Sequence, residues 1–205
     1  MLNKKRKILE IFANNVWKKF TFREIKKLSK SKSESYIYTS LKQFVRKKIL
    51  IEEKAGNVIL YSANKTQKAA INLAIAAEYA AWNKKHIPYK TLEKIIAKIP
   101  TSFFTLIITG SYAKNKQNQS SDIDIIILCD KQTDPQKIYA ELRQECELSI
   151  PEVHLYVFTE KEFYKMLTNK KPNYGKEIAN NSLILSGGTS YYKIMAEAIA
   201  NGFNG

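Results

Sequence analysis

Residues 2 to 14 place Leu2, Ile8, Leu9, Ile11 and Phe12 at helical spacings, which predicts a first amphipathic helix. The same period returns in TFREIKKLSK, with Phe22, Ile25 and Leu28 at i, i+3 and i+6, and in SESYIYTSLKQFVRKKI, with Ile37, Leu41, Phe44 and Val45 on one face. Thr21 and Ser31 are the candidates to open these two helices. ILIEEKAGNVILYSA then sets two runs of apolar and β-branched residues around Gly56-Asn57, the pattern of a β-hairpin. KTQKAAINLAIAAEYAAWNKKH predicts a long Ala-rich helix, with Ile71, Leu73, Ile75 and Ala76 on its apolar face, that bridges two domains. A further helix, TLEKIIAKI, stops before Pro100.

Beyond Pro100 strands and helices alternate. FFTLIIT, residues 103 to 109, is a continuous apolar run suited to a strand buried on both faces, and a short helix, SYAKNK, follows it. SDIDIIIL is a second strand, residues 134 to 147 a helix, and PEVHLYVF a third strand with Glu152, His154 and Tyr156 alternating against Val153, Leu155 and Val157. TEKEFYKML and TSYYKIMAEAIA predict two more helices, the last with Tyr191 and Tyr192 as packing residues. The expected organisation is α+β, with boundaries at 1–64, 65–100 and 101–205.

Charge adds a direction to this pattern. The net charge is +15, yet residues 1 to 66 hold 17 Lys/Arg against 5 Asp/Glu, a surplus of 12, and the remaining chain a surplus of 3. A field so concentrated suggests a polyanionic partner, nucleic acid before an acidic membrane surface. A mean hydropathy of −0.35, the lack of any apolar stretch near the roughly 20 residues of a membrane span, and an N-terminus without a signal-like apolar core predict a soluble, cytoplasmic protein. Cys129 and Cys146 lack C-x-x-C spacing and read as buried reduced thiols; His86 and His154 are isolated, with a structural or surface role as the default.

The chemistry concentrates in GSYAKNKQNQSSDID. Gly110 at a strand-to-helix corner lets backbone approach a ligand, the free amides of the helix start favour a phosphate, and Ser111 adds a hydroxyl. Alternation then directs Asp122 and Asp124 to one strand face and Ile123 and Ile125 to the other. Carboxylates opening so apolar a strand need solvent or a partner, and a divalent cation is a natural one.

Gly-Ser, ten residues, then Asp-x-Asp resembles the signature of the DNA polymerase β-like nucleotidyltransferase superfamily, especially its minimal prokaryotic members. Asn115 stands where small members often carry Gly, and Asn is the residue that best tolerates the left-handed backbone this requires. The resemblance implies a mixed sheet flanked by helices and transfer of a nucleoside monophosphate from an NTP, ATP first, to a hydroxyl acceptor with release of pyrophosphate. It implies Asp122 and Asp124 as ligands of two Mg²⁺ ions, with Mn²⁺ as an alternative. Glu152, at the first polar position of the third strand where the family usually has Asp, is the candidate third carboxylate, ligating the acceptor-side metal. Gly110 and Ser111 would hold the β- and γ-phosphates, assisted by Lys114.

Three helices followed by a hairpin also resemble a winged helix-turn-helix, and archaeal-type proteins joining that module to a minimal nucleotidyltransferase look similar, including the KEI…N…IL…G…YY run. By that analogy Ser35, Tyr36, Thr39, Lys42, Arg46 and Lys47 on the third helix, with Lys54 in the wing, contact nucleic acid. Two other readings stay open: a DNA-binding regulator whose C-terminal domain senses nucleotide without turnover, and an antitoxin-like protein that modifies a small toxin partner.

Overall fold

The computed structural model describes residues 2–205, with side chains from Lys5 onward, so Leu2 of the predicted apolar pattern lies outside the described side chains. The chain divides into two compact units, one formed by residues up to Ala77 together with Gly188–Gly205, the other by Glu78–Gly187.

The first unit opens with α1 (Leu2–Ala13), β1 (Phe20–Thr21), α2 (Phe22–Ser29) and α3 (Glu34–Arg46), followed by β2 (Leu50–Ala55) and β3 (Val58–Ala63). The strands form an antiparallel sheet in the order β1-β3-β2. Gly56, at φ +59°, supplies the left-handed first residue of the two-residue turn between β2 and β3. Thr21 caps α2 through a capping box with Glu24. The cap of α3 is Ser33, whose hydroxyl accepts from the Tyr36 amide, and not Ser31, because Ser31 and Lys32 belong to the turn between the helices. Ile25, Ile37, Leu41 and Phe44 are buried as expected, but Leu28 is 53% exposed. Steps of three drift back by roughly 60° per step on a helix of 3.6 residues per turn, which carries Leu28 off the line through Ile25.

The unit boundary falls inside α4 (Gln67–Ala81). Its buried face within the first unit is Ala69, Ala70, Leu73, Ala74, Ala76 and Ala77, while Ile71 and Ile75 are 40% and 54% exposed. The expected face was therefore half wrong: alanines, not isoleucines, make the contact, and small side chains allow closer approach of the packed backbone.

The second unit runs through α5 (Tyr89–Lys98), β4 (Phe104–Thr109), α6 (Gly110–Ala113), β5 (Ile123–Cys129), α7 (Pro135–Glu147), β6 (Val153–Thr159), α8 (Glu160–Thr168), α9 (Tyr174–Asn180) and β7 (Leu183–Ser186). Its sheet has the order β6-β5-β4-β7. Strand β4 is antiparallel to both β5 and β7, and β5 is parallel to β6, so the sheet is mixed. Strand β7 was not separately expected from the sequence. On one face Leu106, Ile108, Ile123, Ile125 and Ile127 form a core with Leu92 and Ile95 of α5 and Ile138 and Leu142 of α7. Ile107, Ile126 and Leu128 are buried on the opposite face. Fully apolar strands follow from cover on both faces.

α10 (Gly188–Ala200) groups with the first unit, although residues 101–205 were expected to fold together. The Tyr192 hydroxyl donates to the Ala13 carbonyl at 3.1 Å, and Phe203 meets Trp17 edge-on with ring centroids 5.4 Å apart. Tyr191 and Tyr192 are both buried packing residues. Cys129 and Cys146 are buried and free. Among the described residues no helix is long and apolar enough to cross a membrane.

Candidate active site

The end of β4 and the start of β5 meet where Thr109 pairs with Asp124. Beyond Thr109 the chain turns at Gly110, which takes φ +68°. A Cβ at that position would stand 1.9 Å from Oδ2 of Asp124. Glycine is thus required twice, by the backbone and by the carboxylate lying against it. Helix α6 is a single turn, shorter than the expected SYAKNK, and ends as Asn115 adopts φ +53°. One turn has little macrodipole, so any phosphate there meets the turn's amides and the Ser111 hydroxyl rather than a helix dipole. The loop leading to Asp122 is tied by Asn118, whose side-chain oxygen accepts from the Ser120 amide and from the hydroxyls of Ser120 and Ser121. Lys114 is exposed at the end of α6.

Asp122 and Asp124 have side chains 42% and 27% exposed. Burial holds the Asp124 carboxyl above its ordinary range; His154 opposes that and the neighbouring Asp122 charge adds to it. Parallel pairing sets His154 of β6 beside Asp124. Its Nε2 lies 3.5 Å from Asp122 Oδ2 and its Nδ1 3.9 Å from Asp124 Oδ1. The imidazole faces both carboxylates.

Glu152, expected as the third carboxylate, shares this face but precedes β6; its carbonyl accepts from the Ile123 amide at 2.9 Å and it is exposed. Among the described residues, no three His, Cys, Asp or Glu side chains converge as metal ligands. On β6, His154 faces both aspartates. Alternation put Glu152 and His154 on one face, and the register of two strands far apart in sequence brings His154 beside Asp124. Two carboxylates on one strand face, with the Gly110 Cβ missing beside them, are donors suited to a hard divalent cation.

Tyr174, at the start of α9, is a neighbour that sequence reasoning missed. Its ring lies 5.0 Å from that of Tyr156, and burial pushes its hydroxyl well above the ordinary range, with the Tyr156 and Asp124 charges adding to the effect. No local signal marks it, since α9 reaches the site only through the fold.

In the first unit, Ser35, Thr39, Arg46 and Lys47 are exposed along or just after α3, and Lys54 is exposed on β2. Lys42 is engaged by Glu52 of β2 at 2.8 Å, and its amine lies 5.7 Å from the centroid of the Tyr38 ring. Tyr36 is partly buried, its hydroxyl enclosed without a hydrogen-bond partner among the described residues. Beside it a cavity of about 340 Å³ is lined by Lys7, Lys30, Lys32, Ser31, Ser33 and Tyr36, of which only Tyr36 was expected to contact a ligand. A cavity of about 680 Å³, lined in part by Trp17, Lys65 and Tyr192, contains none of the catalytic candidates.

Residues 90–184 match the family model of a nucleotidyltransferase domain, a span that contains Gly110, Ser111, Asp122, Asp124 and His154. The mixed sheet flanked by helices is consistent with that domain's fold, and the match supports transfer of a phosphorus-containing group. Comparison with curated proteins found no match, and neither did comparison with solved structures.

Proposed function

With residues 90–184 as a nucleotidyltransferase domain, we propose that this chain transfers a nucleoside monophosphate from an NTP, ATP first, to a hydroxyl acceptor and releases pyrophosphate. The observation that carries the reading is Asp124 packed against Gly110, beside Asp122, at the end of a buried strand pair. Phosphoryl transfer demands positioning and charge neutralisation more than covalent chemistry, and this corner is built for both. Asp122 and Asp124 would hold Mg²⁺, which when bound offsets the charge developing on the phosphates. The amides at Gly110 and the Ser111 hydroxyl orient the β- and γ-phosphates, and Lys114, exposed at the end of α6, is a nearby cation. Incubation with Mg²⁺ and α-labelled ATP should label an acceptor, and the Asp122→Ala/Asp124→Ala variant should lose that labelling by more than a hundredfold. Equal labelling by the variant would exclude the reading.

The first unit supports a second role alongside the first, that of nucleic-acid binding through a winged helix. The order of α1, β1, α2, α3, β2 and β3, the surplus of 12 positive charges in residues 1 to 66 and the lysine-lined cavity at the start of α3 favour it. Binding of duplex DNA by the full chain should weaken steeply with salt, because phosphate contacts release counterions. Binding indifferent to salt would count against it. A regulator that senses nucleotide without turnover shares this DNA-binding role, and is distinguished by nucleotide binding in the absence of any labelled product.

A further inference from the structure

We infer that the site binds a single divalent ion with its nucleotide, because the β6 side chain that faces both aspartates is the imidazole of His154 and not a carboxylate. The inference rests on the nucleotidyltransferase reading and deepens it.

Two divalent ions about 3.5–4 Å apart repel strongly and need anionic ligands around and between them, from carboxylates and from the nucleotide's phosphates. Strand β5 contributes two, Asp122 and Asp124. Strand β6 lies parallel to it and pairs Ile123 with Val153 and Asp124 with His154, so His154 lies beside Asp124, while Glu152 stands one position before the first pair, its carbonyl accepting from the Ile123 amide. That residue is an imidazole, and its two nitrogens are 3.5 Å and 3.9 Å from an oxygen of each carboxylate. It adds no negative charge and occupies the flank from which a second ion would be reached. Mg²⁺ is also a poor partner for a nitrogen ligand, which suits softer transition metals. The remaining carboxylate on that face, Glu152, precedes the first paired position of the strand, and no three such side chains converge as metal ligands among the described residues. One ion is well served by what is present, since Mg²⁺ is commonly held by one or two carboxylates plus substrate phosphates. In this arrangement the nucleotide is anchored while the acceptor hydroxyl receives no ion of its own.

The test counts ions rather than turnover. The full chain is equilibrated with Mn²⁺ and a non-hydrolysable ATP analogue; bound Mn²⁺ is counted by electron paramagnetic resonance, and bound analogue is measured in the same sample. One ion per chain is expected for the wild type, for Glu152→Gln and for His154→Asn, with loss of at least tenfold in Mn²⁺ affinity for Asp124→Asn. His154→Asp should raise the count to two, with circular dichroism confirming that the variant is folded. Two ions in the wild type with analogue bound overturn the inference alone, and if Glu152→Gln then drops the count to one, Glu152 is the third ligand. A count that stays at one in folded His154→Asp also overturns it. No ion and no analogue bound by the wild type overturn both the inference and the reading beneath it.

Discussion

At Gly110 one methyl group decides whether the aspartate pair keeps its geometry. A Cβ there would lie 1.9 Å from Asp124 Oδ2, and φ +68° adds about 1–2 kcal/mol of backbone strain for any L side chain. Gly110→Ala should therefore lower nucleotide binding at least tenfold while circular dichroism shows an unchanged fold; full binding by the variant would mean that Asp124 moves freely and is no fixed ligand. Asn115 at φ +53° is a milder case, in which the side chain departs from the small-member pattern and the backbone conformation survives. The cysteines illustrate the opposite situation, residues chosen for inertness. Burial pushes the Cys146 thiol up to about 11 and raises that of Cys129, so at pH 8 both are protonated and enclosed. Iodoacetamide should leave both unmodified in the native protein and alkylate both in denaturant; rapid native labelling of Cys146 would contradict its burial.

At the scale of elements, the Thr21 cap was legible in sequence while that of α3 lay two residues beyond Ser31, and the energetics of caps can be checked. Thr159 closes β6 and opens α8 through a capping box with Glu162, as Thr21 does for α2 with Glu24. Thr159→Ala should cost about 1 kcal/mol, read as a lower midpoint in a denaturant titration. Hydrogen bonds from the Thr159 amide and hydroxyl hold the Glu162 carboxyl below its ordinary 4.5. A depressed carboxyl stabilises the fold above 4.5, and that contribution is lost as pH falls through the lower folded-state value. The difference between wild type and Thr159→Ala should accordingly shrink in acid; a difference that grows there would contradict the capping box. Helices and strands with strong periodicity were readable along most of the chain. Errors arose where one residue type served two faces, as in α4, where Ile71 and Ile75 are exposed and the alanines are buried. A helical face is chosen by what packs against it, and that neighbour is absent from a local window.

For the whole molecule, charge and topology set the remaining expectations. If the first unit binds DNA through α3, Arg46→Ala should weaken binding to all sequences alike and reduce the slope of log affinity against log salt by about 1. Lys42→Ala should do less, since its amine is already engaged by Glu52; an equal or larger loss would mean that the ion pair opens on binding. The amino-acid sequence by itself determined the asymmetry of charge, which is a sum over residues, and the helix and strand periods, the Gly110 turn and the shared face of Asp122 and Asp124, which depend on near neighbours in the chain. Tertiary structure alone decided that α10 groups with the N-terminal unit, that the Tyr174 ring meets that of Tyr156, and that His154 faces both carboxylates. Those relations join residues well apart in the chain through strand register and helix packing. Register is a property of two strands together, and neither strand's own pattern specifies it.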